Sequence, residues 1–213
     1  TVFMMSGGNL NFTNVEFING GTCTEIMDLR ATEVNTEVTG GTVHFNLPSG
    51  YTYTANSTVP FYNLQMSRRT GGGDVTIEWL NTSSSQVNIL NNLSLNPNTT
   101  FNLDDNDVNI KIGGNFTVHT DATYISGMNT TTFNGAGTQT FTNSGNITNG
   151  LYNLSLTESA DLTLEGTENV FAVRNNLNIE SNTTLRDNSK TLTVEGDITN
   201  SGTHYKPAAA AGS

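Results

Sequence analysis

Apolar and polar residues alternate in short runs along most of the chain. The segments 74–79 (DVTIEW), 108–112 (VNIKI), 115–119 (NFTVH), 160–166 (ADLTLEG) and 190–196 (KTLTVEG) all show a period of two. This period is typical of a strand with one buried face. Asn, Gly, Asp and Ser fall between the runs, where turns favour them. The pattern therefore predicts an all-β chain of many short strands, without long helices.

Several of these segments return further along the chain. NNLSLNPNTT at 91–100 matches NNLNIESNTT at 175–184, and PFYNLQM at 60–66 returns as GLYNLSL at 150–156. Repetition at a fixed spacing is typical of stacked architectures. We divide the chain into a partial copy (1–39, with an insertion at 18–35), two copies (40–127 and 128–206) and a tail (207–213). The start TVFMM suggests an excised piece of a longer protein, and the Ala-rich tail an artificial addition.

These features predict a parallel β-solenoid, or β-helix, built from repeats of about 80–90 residues, in which each coil buries its inward face on its neighbours. One repeat is too long for a single coil and corresponds to about three coils of two or three strands. We expect seven or eight coils and a rod of about 35 to 40 Å. The alternative is one β-sandwich per repeat. The low apolar content of 34% favours the thin core of a solenoid.

The alternation also predicts which side chains are buried. Tyr62 and Tyr152 should occupy equivalent positions in successive repeats, and Leu93 should lie in or near the same row as Leu177. An error of one residue in register would exchange the two faces. The predicted core consists of Leu64, Leu93, Ile110, Ile112, Phe116, Leu154, Leu177, Leu192, Val194 and Ile198.

Charge and composition exclude several classes of function. The net charge of −11, with only eight Lys and Arg, argues against binding to nucleic acid and to anionic membranes, because both need clustered basic residues. The sequence contains no apolar run near twenty residues, so we expect no membrane insertion. Cys23 is the single cysteine and cannot form an internal disulfide. This cysteine content fits an exported bacterial protein and a cytosolic protein equally well.

Residues that could support catalysis or metal binding are scattered. A carbohydrate-cleaving β-helix would need two or three carboxylates gathered on adjacent coils, but no basic residue recurs with the acids of this chain. Three aspartates in LDDNDV could contribute to a calcium site, although turn chemistry explains them more simply. RRTGGG (68–73) lacks the ending and the helix of a phosphate loop and predicts a lateral loop. The residues considered are Glu16, Asp74, Glu78, Asp104, Asp105, Asp107, Asp161, Glu165, His44, His119 and His204.

The second copy resembles a known family of repeats. TTTFNGAGTQTFTNSGNITNGLYNLSLTESADLTLEG, followed by NNLNIESNTTLRDNSKTLTVEGDITNSGTH, is similar to repeat units of very large secreted surface proteins of Bacteroidetes. These adhesin-like chains are exported by the type IX secretion system and include gliding-motility adhesins. The pattern covers the segment 130–204 and, with insertions, 41–120, whereas the segment 1–39 departs from it. The resemblance implies a stalk or adhesive surface outside the outer membrane, and no catalytic residues.

We therefore expect a non-enzymatic structural or adhesive segment of a large cell-surface protein. No catalytic residue, metal site or cofactor is assigned. The expected partners are neighbouring repeats of the same long chain, with surface glycans or other cell-surface proteins as further candidates. The alternative is a carbohydrate-binding or carbohydrate-cleaving β-helix. A groove lined by aromatic residues and paired acids would favour that alternative, and smooth faces of Asn, Thr and Ser would favour the first.

The insertion at 18–35 interrupts the repeat and contains Cys23 and a cluster of charge, formed by Glu25, Asp28, Arg30 and Glu33. Insertions in solenoids usually leave the coil as loops on one face, and such loops often bind partners. We expect this segment to protrude laterally or to cap an end. A degenerate coil that continues the stack is the alternative.

Overall fold

The computed structural model describes residues 3–13, 17–18, 21–22, 25–31, 35–69, 71–81 and 85–206. These residues form 25 strands and no α-helix. The strands are β1 (Phe3–Phe12), β2 (Phe17–Ile18), β3 (Gly21–Thr22), β4 (Glu25–Leu29), β5 (Thr36–Leu47), β6 (Thr52–Ser57), β7 (Asn63–Arg68), β8 (Val75–Trp79), β9 (Gln86–Ile89), β10 (Leu93–Leu95), β11 (Thr99–Asn102), β12 (Asn109–Ile112), β13 (Phe116–Val118), β14 (Thr123–Ile125), β15 (Thr130–Phe133), β16 (Gly137–Asn143), β17 (Asn146–Ile147), β18 (Asn153–Leu156), β19 (Ala160–Glu165), β20 (Val170–Val173), β21 (Leu177–Ile179), β22 (Thr184–Arg186), β23 (Thr191–Val194), β24 (Ile198–Asn200) and β25 (Thr203–Tyr205).

Three parallel sheets form the faces of the molecule. The long sheet has the order β1-β5-β7-β10-β13-β16-β19-β22-β25. The second sheet runs β4-β6-β8-β11-β14-β17, and the third sheet runs β9-β12-β15-β18-β21-β24. The parallel pair β20–β23 takes the place of the second sheet in the last coils, because each of its strands lies between a strand of the long sheet and a strand of the third sheet along the chain. The strands β2 and β3 form an antiparallel hairpin. The chain visits the three faces in turn, which confirms the predicted parallel β-solenoid.

The solenoid has about seven turns. Its coils differ slightly in length, since Ile112 stacks on Phe133 whereas Phe116 stacks on Phe141. The nine strands of the long sheet have eight spacings of about 4.8 Å, which gives a rod of about 38 Å. This length agrees with the prediction. In the part of the chain that the structure describes, no helix is long and apolar enough to cross a membrane.

The core consists of rows of inward side chains that stack from coil to coil. Val43, Leu64, Leu93 and Phe116 are paired in register along the long sheet, and each is at most 2% exposed. Aromatic rings extend these contacts, because Phe116 lies parallel to Phe141 with ring centroids 4.9 Å apart. Each coil therefore covers the apolar face of the next, as the strand pattern requires.

Seven of the ten residues predicted to be buried are buried, and three are not. Leu192 and Val194 are partly buried, and Ile198 is 62% exposed. The predicted register is nevertheless right, because Ile198 pairs with the buried Leu177 in the third sheet. Ile198 belongs to β24, the outermost strand of that sheet, and no described coil covers it. Position at the end of the stack, which local alternation does not reveal, explains the error.

The prediction that Leu93 and Leu177 share a row is wrong, because Leu93 lies in the long sheet and Leu177 in the third sheet. The row that contains Leu93 continues through Phe116 and Phe141 to Leu164. Leu177 follows Leu164 in the chain but precedes β22, the next strand of the long sheet. The length of chain between Leu93 and Leu177 is therefore not a whole number of coils. The two similar segments lie on different faces for this reason.

The repeated Tyr-Asn-Leu lies at the start of a strand in both copies, but on different faces: Asn63 begins β7 in the long sheet and Asn153 begins β18 in the third sheet. The prediction that Tyr62 and Tyr152 occupy equivalent positions in successive repeats is therefore wrong. Asn63 Oδ1 accepts hydrogen bonds from Asn91 Nδ2 (2.9 Å) and from the backbone N–H of Asn92 (3.2 Å). At the other copy, Asn153 Oδ1 accepts the same pair from Asn175 Nδ2 (2.9 Å) and the Asn176 N–H (3.1 Å). The leucines that follow, at positions 64 and 154, are both buried as predicted. The motif thus satisfies backbone groups where a strand begins.

The insertion at 18–35 does not protrude laterally where it is described in full. Residues 25–29 form β4, which pairs with β6 in parallel, and Met27 is buried. Arg30 makes an exposed salt bridge with Asp28 at 2.7 Å. This part is a coil at one end of the second sheet, a position that fits both the predicted cap and the alternative of a degenerate coil that continues the stack. Cys23 and Glu33 lie outside the described residues.

Substituting Phe116→Ala should lower the free energy of unfolding by about 3 to 5 kcal/mol, because it opens a cavity in a fully buried row. Thr117→Ala, on the outward side of the same strand, should change it by less than about 0.5 kcal/mol. Urea denaturation followed by circular dichroism measures both. Equal effects of the two substitutions would contradict the assigned inward row.

Candidate functional site

A groove lies at the corner between the third sheet and the long sheet. Its volume is about 550 Å³. Residues from successive coils line it, so it runs along the axis of the rod. We call it the lateral groove, and its lining residues are Thr36, Thr58, Pro60, Asn88, Ile89, Leu90, Lys111, Gly113, Asn134, Gly135 and Ala136.

Two glycines form the floor of the lateral groove. A Cβ atom at Gly113 would collide with the carbonyl oxygen of Leu90, and one at Gly135 would collide with the carbonyl oxygen of Gly113. Backbones of neighbouring coils therefore approach more closely here than any larger residue allows. Because this part of the corner has no side chains, the surface is recessed.

A buried side chain holds this corner together. Gln139 is 2% exposed, and its Nε2 donates to the carbonyl oxygens of Ile112 (3.0 Å) and Gly114 (2.7 Å). Its Oε1 accepts from the backbone N–H of Gly135 at 3.2 Å. The amide thus bonds backbone groups on both sides of the corner.

The walls of the lateral groove combine one cation, apolar surface and polar side chains. Lys111 is at the centre of β12, in register with Asn88 on one side and Thr132 on the other. Among the described residues, no carboxylate forms a salt bridge with Lys111. Leu90 is 45% exposed beside it. The groove can therefore offer a positive charge, hydrogen bonds and an apolar contact to one ligand.

The three aspartates of LDDNDV form a turn. Asp105 Oδ2 accepts from Asn102 Nδ2 at 2.9 Å, and Asp107 Oδ1 accepts from the backbone N–H of Met128 at 3.1 Å. The N–H of Asp104 donates to Asn102 Oδ1 at 2.9 Å. Among the described residues, no group of three or more His, Cys, Asp or Glu is arranged to hold a metal ion.

The other acidic candidates lie on separate faces. Glu78 is in the second sheet, where burial and the negative charge of Asp105 raise its pKa. Asp161 and Glu165 are in the long sheet. Asp161 binds Arg186 through two hydrogen bonds of 2.7 and 2.9 Å, a basic partner on the next coil that the sequence interpretation missed. Glu16 lies outside the described residues.

The histidines and the glycine-rich loop also remain apart. His44 Nε2 lies 2.8 Å from Ser67 Oγ, and His204 Nε2 lies 3.4 Å from the buried Asp187 carboxylate. His119 comes directly after β13, far from both of them along the chain. Arg68 is the last residue of β7, and its Nη1 donates to the carbonyl of Gly73 in the following loop at 3.0 Å. These contacts connect coils and close a loop, and they assemble no shared site.

A second concavity, of about 480 Å³, lies at the corner between the long sheet and the second sheet. Asp74, Asn98 and Asp121 line it, and Asn98 and Asp121 have positive φ angles of 62° and 61°. The N–H of Asn98 donates to the carbonyl of Asp121 at 2.8 Å. The two residues with positive φ therefore form tight turns of successive coils.

Sequence reasoning did not find the lateral groove. The available signal was the pair of glycines in NIKIGG and TFNGAG, since Gly113 and Gly135 recur about one coil apart. Comparisons with protein-family models, with curated proteins and with solved structures found no match.

Gly135→Ala should destabilise the protein by about 1 to 3 kcal/mol, because the added methyl group meets a backbone carbonyl that cannot rotate away. Gly72→Ala is the matched control, since a Cβ at Gly72 has open space around it. Thermal unfolding of both variants measures the difference. If the two variants have the same unfolding temperature, the close backbone approach assigned to the floor of the lateral groove is wrong.

Stability should depend on the charge of His44. Burial lowers its pKa below the ordinary value of 6.5, so protonation favours the unfolded chain. The contribution of the neutral His44 side chain to the free energy of unfolding is present above pH 6.5 and is lost as the pH falls through the folded-state pKa. His44→Gln should flatten this part of the curve of unfolding free energy against pH. Curves for the two proteins that stay parallel from pH 5 to pH 8 would contradict this.

Proposed function

We propose that this chain is a non-enzymatic structural and adhesive segment of a large protein on the outer surface of a bacterial cell. The observation that carries the proposal is the long sheet, which continues without interruption from β1 to β25 along the described rod. A stalk needs length that grows by addition of similar coils, and a solenoid supplies it because each coil contacts only its neighbours. Neighbouring repeats of the same long chain are the partners of this segment.

The sides of the rod support a display role. Thr52, Thr76, Thr100 and Thr123 pair in register along the second sheet and form a row of hydroxyl groups. Their spacing is that of neighbouring strands, about 4.8 Å. Such a face is well hydrated and can donate and accept hydrogen bonds. It is the smooth Thr-rich surface expected of a stalk.

The resemblance to Bacteroidetes repeats supplies the cellular setting. Residues 130–204 resemble units of adhesin-like proteins, and this chain then belongs outside the outer membrane. Export by the type IX system and a role in gliding motility are parts of the same proposal.

Antibodies raised against the folded chain should label intact producing cells before permeabilisation. Beads coated with the chain should attach to such cells more than beads coated with the heat-unfolded chain. Incubation with a panel of polysaccharides should release no new reducing ends. Labelling only after permeabilisation would overturn the surface assignment, and turnover lost in a Glu78→Gln variant would establish an enzyme instead.

The alternative function is carbohydrate binding, and one observation favours it. Lys111 forms no salt bridge among the described residues, although the chain carries a net charge of −11. An acidic sugar would place its carboxylate on Lys111 and its hydroxyls on Asn88 and Asn134. The C–H face of the sugar ring would pack on Leu90 and Pro60. No aromatic residue is among the groove residues, so affinity for one ring would be modest.

Lys111→Met should weaken binding of polygalacturonate by about tenfold or more, because it removes a charge from a recessed site. Lys206→Met, at an exposed site outside the groove, is the matched control and should leave binding unchanged. Calorimetric titration with polygalacturonate, and with neutral dextran for comparison, measures the effect. Equal losses in both variants, or binding of neither polymer, would exclude the lateral groove as the site.

A further inference from the structure

The lateral groove runs along the rod across four successive coils. Pro60 belongs to the coil before Asn88, and Lys111 and then Asn134 follow on the next two coils. Three spacings of about 4.8 Å give this part of the groove a length of about 14 Å. A cavity of about 550 Å³ that extends this far along one axis is narrow. Its shape therefore fits a linear chain better than a compact small molecule.

The hydrogen bonds around Tyr-Asn-Leu recur in the second copy, but there an arginine covers the corner. In the first copy, the N–H of Leu90 donates to the carbonyl of Phe61 at 2.7 Å. In the second copy, the N–H of Arg174 makes the equivalent bond to the carbonyl of Leu151 at 2.8 Å. The guanidinium of Arg174 lies over the ring of Tyr152, 5.4 Å from its centroid. Leu90 leaves the same place in the first copy without a charged side chain.

The next coil at this corner differs between the two copies as well. The N–H of Gly113 donates to the carbonyl of Ile89 at 2.8 Å. Its counterpart, the N–H of Glu195, donates to the carbonyl of Val173 at 3.0 Å. The first copy thus has a glycine where the second copy has a glutamate. The side chains of the first copy, and not the solenoid fold in general, therefore open the lateral groove.

The groove offers one polar side chain on each of three successive coils. Asn88 and Lys111 are in register in the third sheet, Asn134 follows on the next coil, and all three are partly exposed. Pro60 and Leu90 add apolar surface beside them. None of the lining residues is Asp or Glu. A negatively charged ligand that repeats its polar groups at about the spacing of the coils is complementary to this row.

A carboxylate lies just beyond one end of the row. Nδ2 of Asn134 is 3.5 Å from Oε2 of the exposed Glu158, in the turn before β19. Lys111 lies one coil away from Asn134, towards the middle of the groove. The electrostatic potential therefore changes from positive at Lys111 to negative beyond Asn134. An anionic chain in the groove should place its charge at Lys111 and avoid the end near Glu158.

We propose that the lateral groove binds a linear chain of acidic sugars that lies along the axis of the rod and spans several coils. One pyranose ring of an extended polysaccharide advances by a distance close to the spacing of the coils, so about three rings occupy the groove. Asn88, Lys111 and Asn134 then contact different rings, and Lys111 pairs with the carboxylate of the middle one. The inference rests on the alternative function of carbohydrate binding and adds that the site recognises a chain and not a single ring.

Calorimetric titration of the whole chain with galacturonate oligomers of increasing length tests the proposal. The affinity should rise with each added ring up to about three or four rings and then stay level, because longer oligomers extend past the groove. The trimer should bind at least about tenfold more tightly than the monomer. The fully methyl-esterified trimer should bind about tenfold more weakly than the acid, because the ester removes the charge that faces Lys111.

Substitutions two coils apart show whether one ligand spans the groove. Asn88→Ala and Asn134→Ala should each weaken binding of the trimer by about threefold to tenfold, because each removes a hydrogen-bonding group. Asn178→Ala is the matched control, since Asn178 is on the outward side of the same sheet but outside the groove, and it should leave binding unchanged. Glu158→Gln should strengthen binding of the trimer. Circular dichroism shows that each variant is folded.

Different results would overturn different parts of this assignment. A trimer that binds no more tightly than the monomer would overturn the extended site and leave carbohydrate binding at Lys111 in place. Unchanged binding in both Asn88→Ala and Asn134→Ala, or an equal loss in Asn178→Ala, would place the sugar chain outside the groove. Failure of every oligomer and of polygalacturonate to bind would remove the carbohydrate-binding alternative together with the inference. Attachment of coated beads to cells tests the adhesive role separately.

Discussion

The parallel hydrogen-bond ladder between successive coils is the constraint from which the rest of the structure follows. Each strand inside the stack bonds to the strand before it and to the strand after it in its sheet. The ladder continues outside the strands, since the N–H of Leu64 donates to the carbonyl of Asn92 and that of Leu93 to the carbonyl of Asn115. Because the ladder fixes the register of every coil, residues at equivalent positions must stack directly on one another.

Stacking in register explains the unusual composition. An inward position must be apolar in nearly every coil, whereas an outward position can be Thr, Asn or Ser. Corners need residues that bond to the neighbouring corner, as Asn63 and Asn153 do, or residues without a side chain, as at Gly113 and Gly135. Abundant Asn, Thr and Gly are thus a consequence of the stack, and the lateral groove is a consequence of the glycines.

The same constraint connects the proposed roles. A ladder that adds one coil at a time has sides and two ends, and these are different kinds of surface. The sides are rows of polar groups interrupted by the lateral groove, where Lys111 and Leu90 lie together. At the two ends of the described stack, inward positions are less covered than inside it, as the exposed Leu10 and Ile198 show. The proposed display role therefore uses the sides of the rod.

The sequence by itself determined the class of fold and most of the core, because alternation of period two is a local property. It predicted the burial of Leu64 and Phe116, and the parallel solenoid that buries them. It did not determine which face each strand occupies, since that depends on the length of chain in every preceding coil. The tertiary structure alone placed Leu93 and Leu177 on different sheets, because the chain between them does not complete a whole number of coils. It alone also exposed Ile198 at the end of the stack and brought the glycines of the groove floor together, because covering and close approach are properties of neighbouring coils.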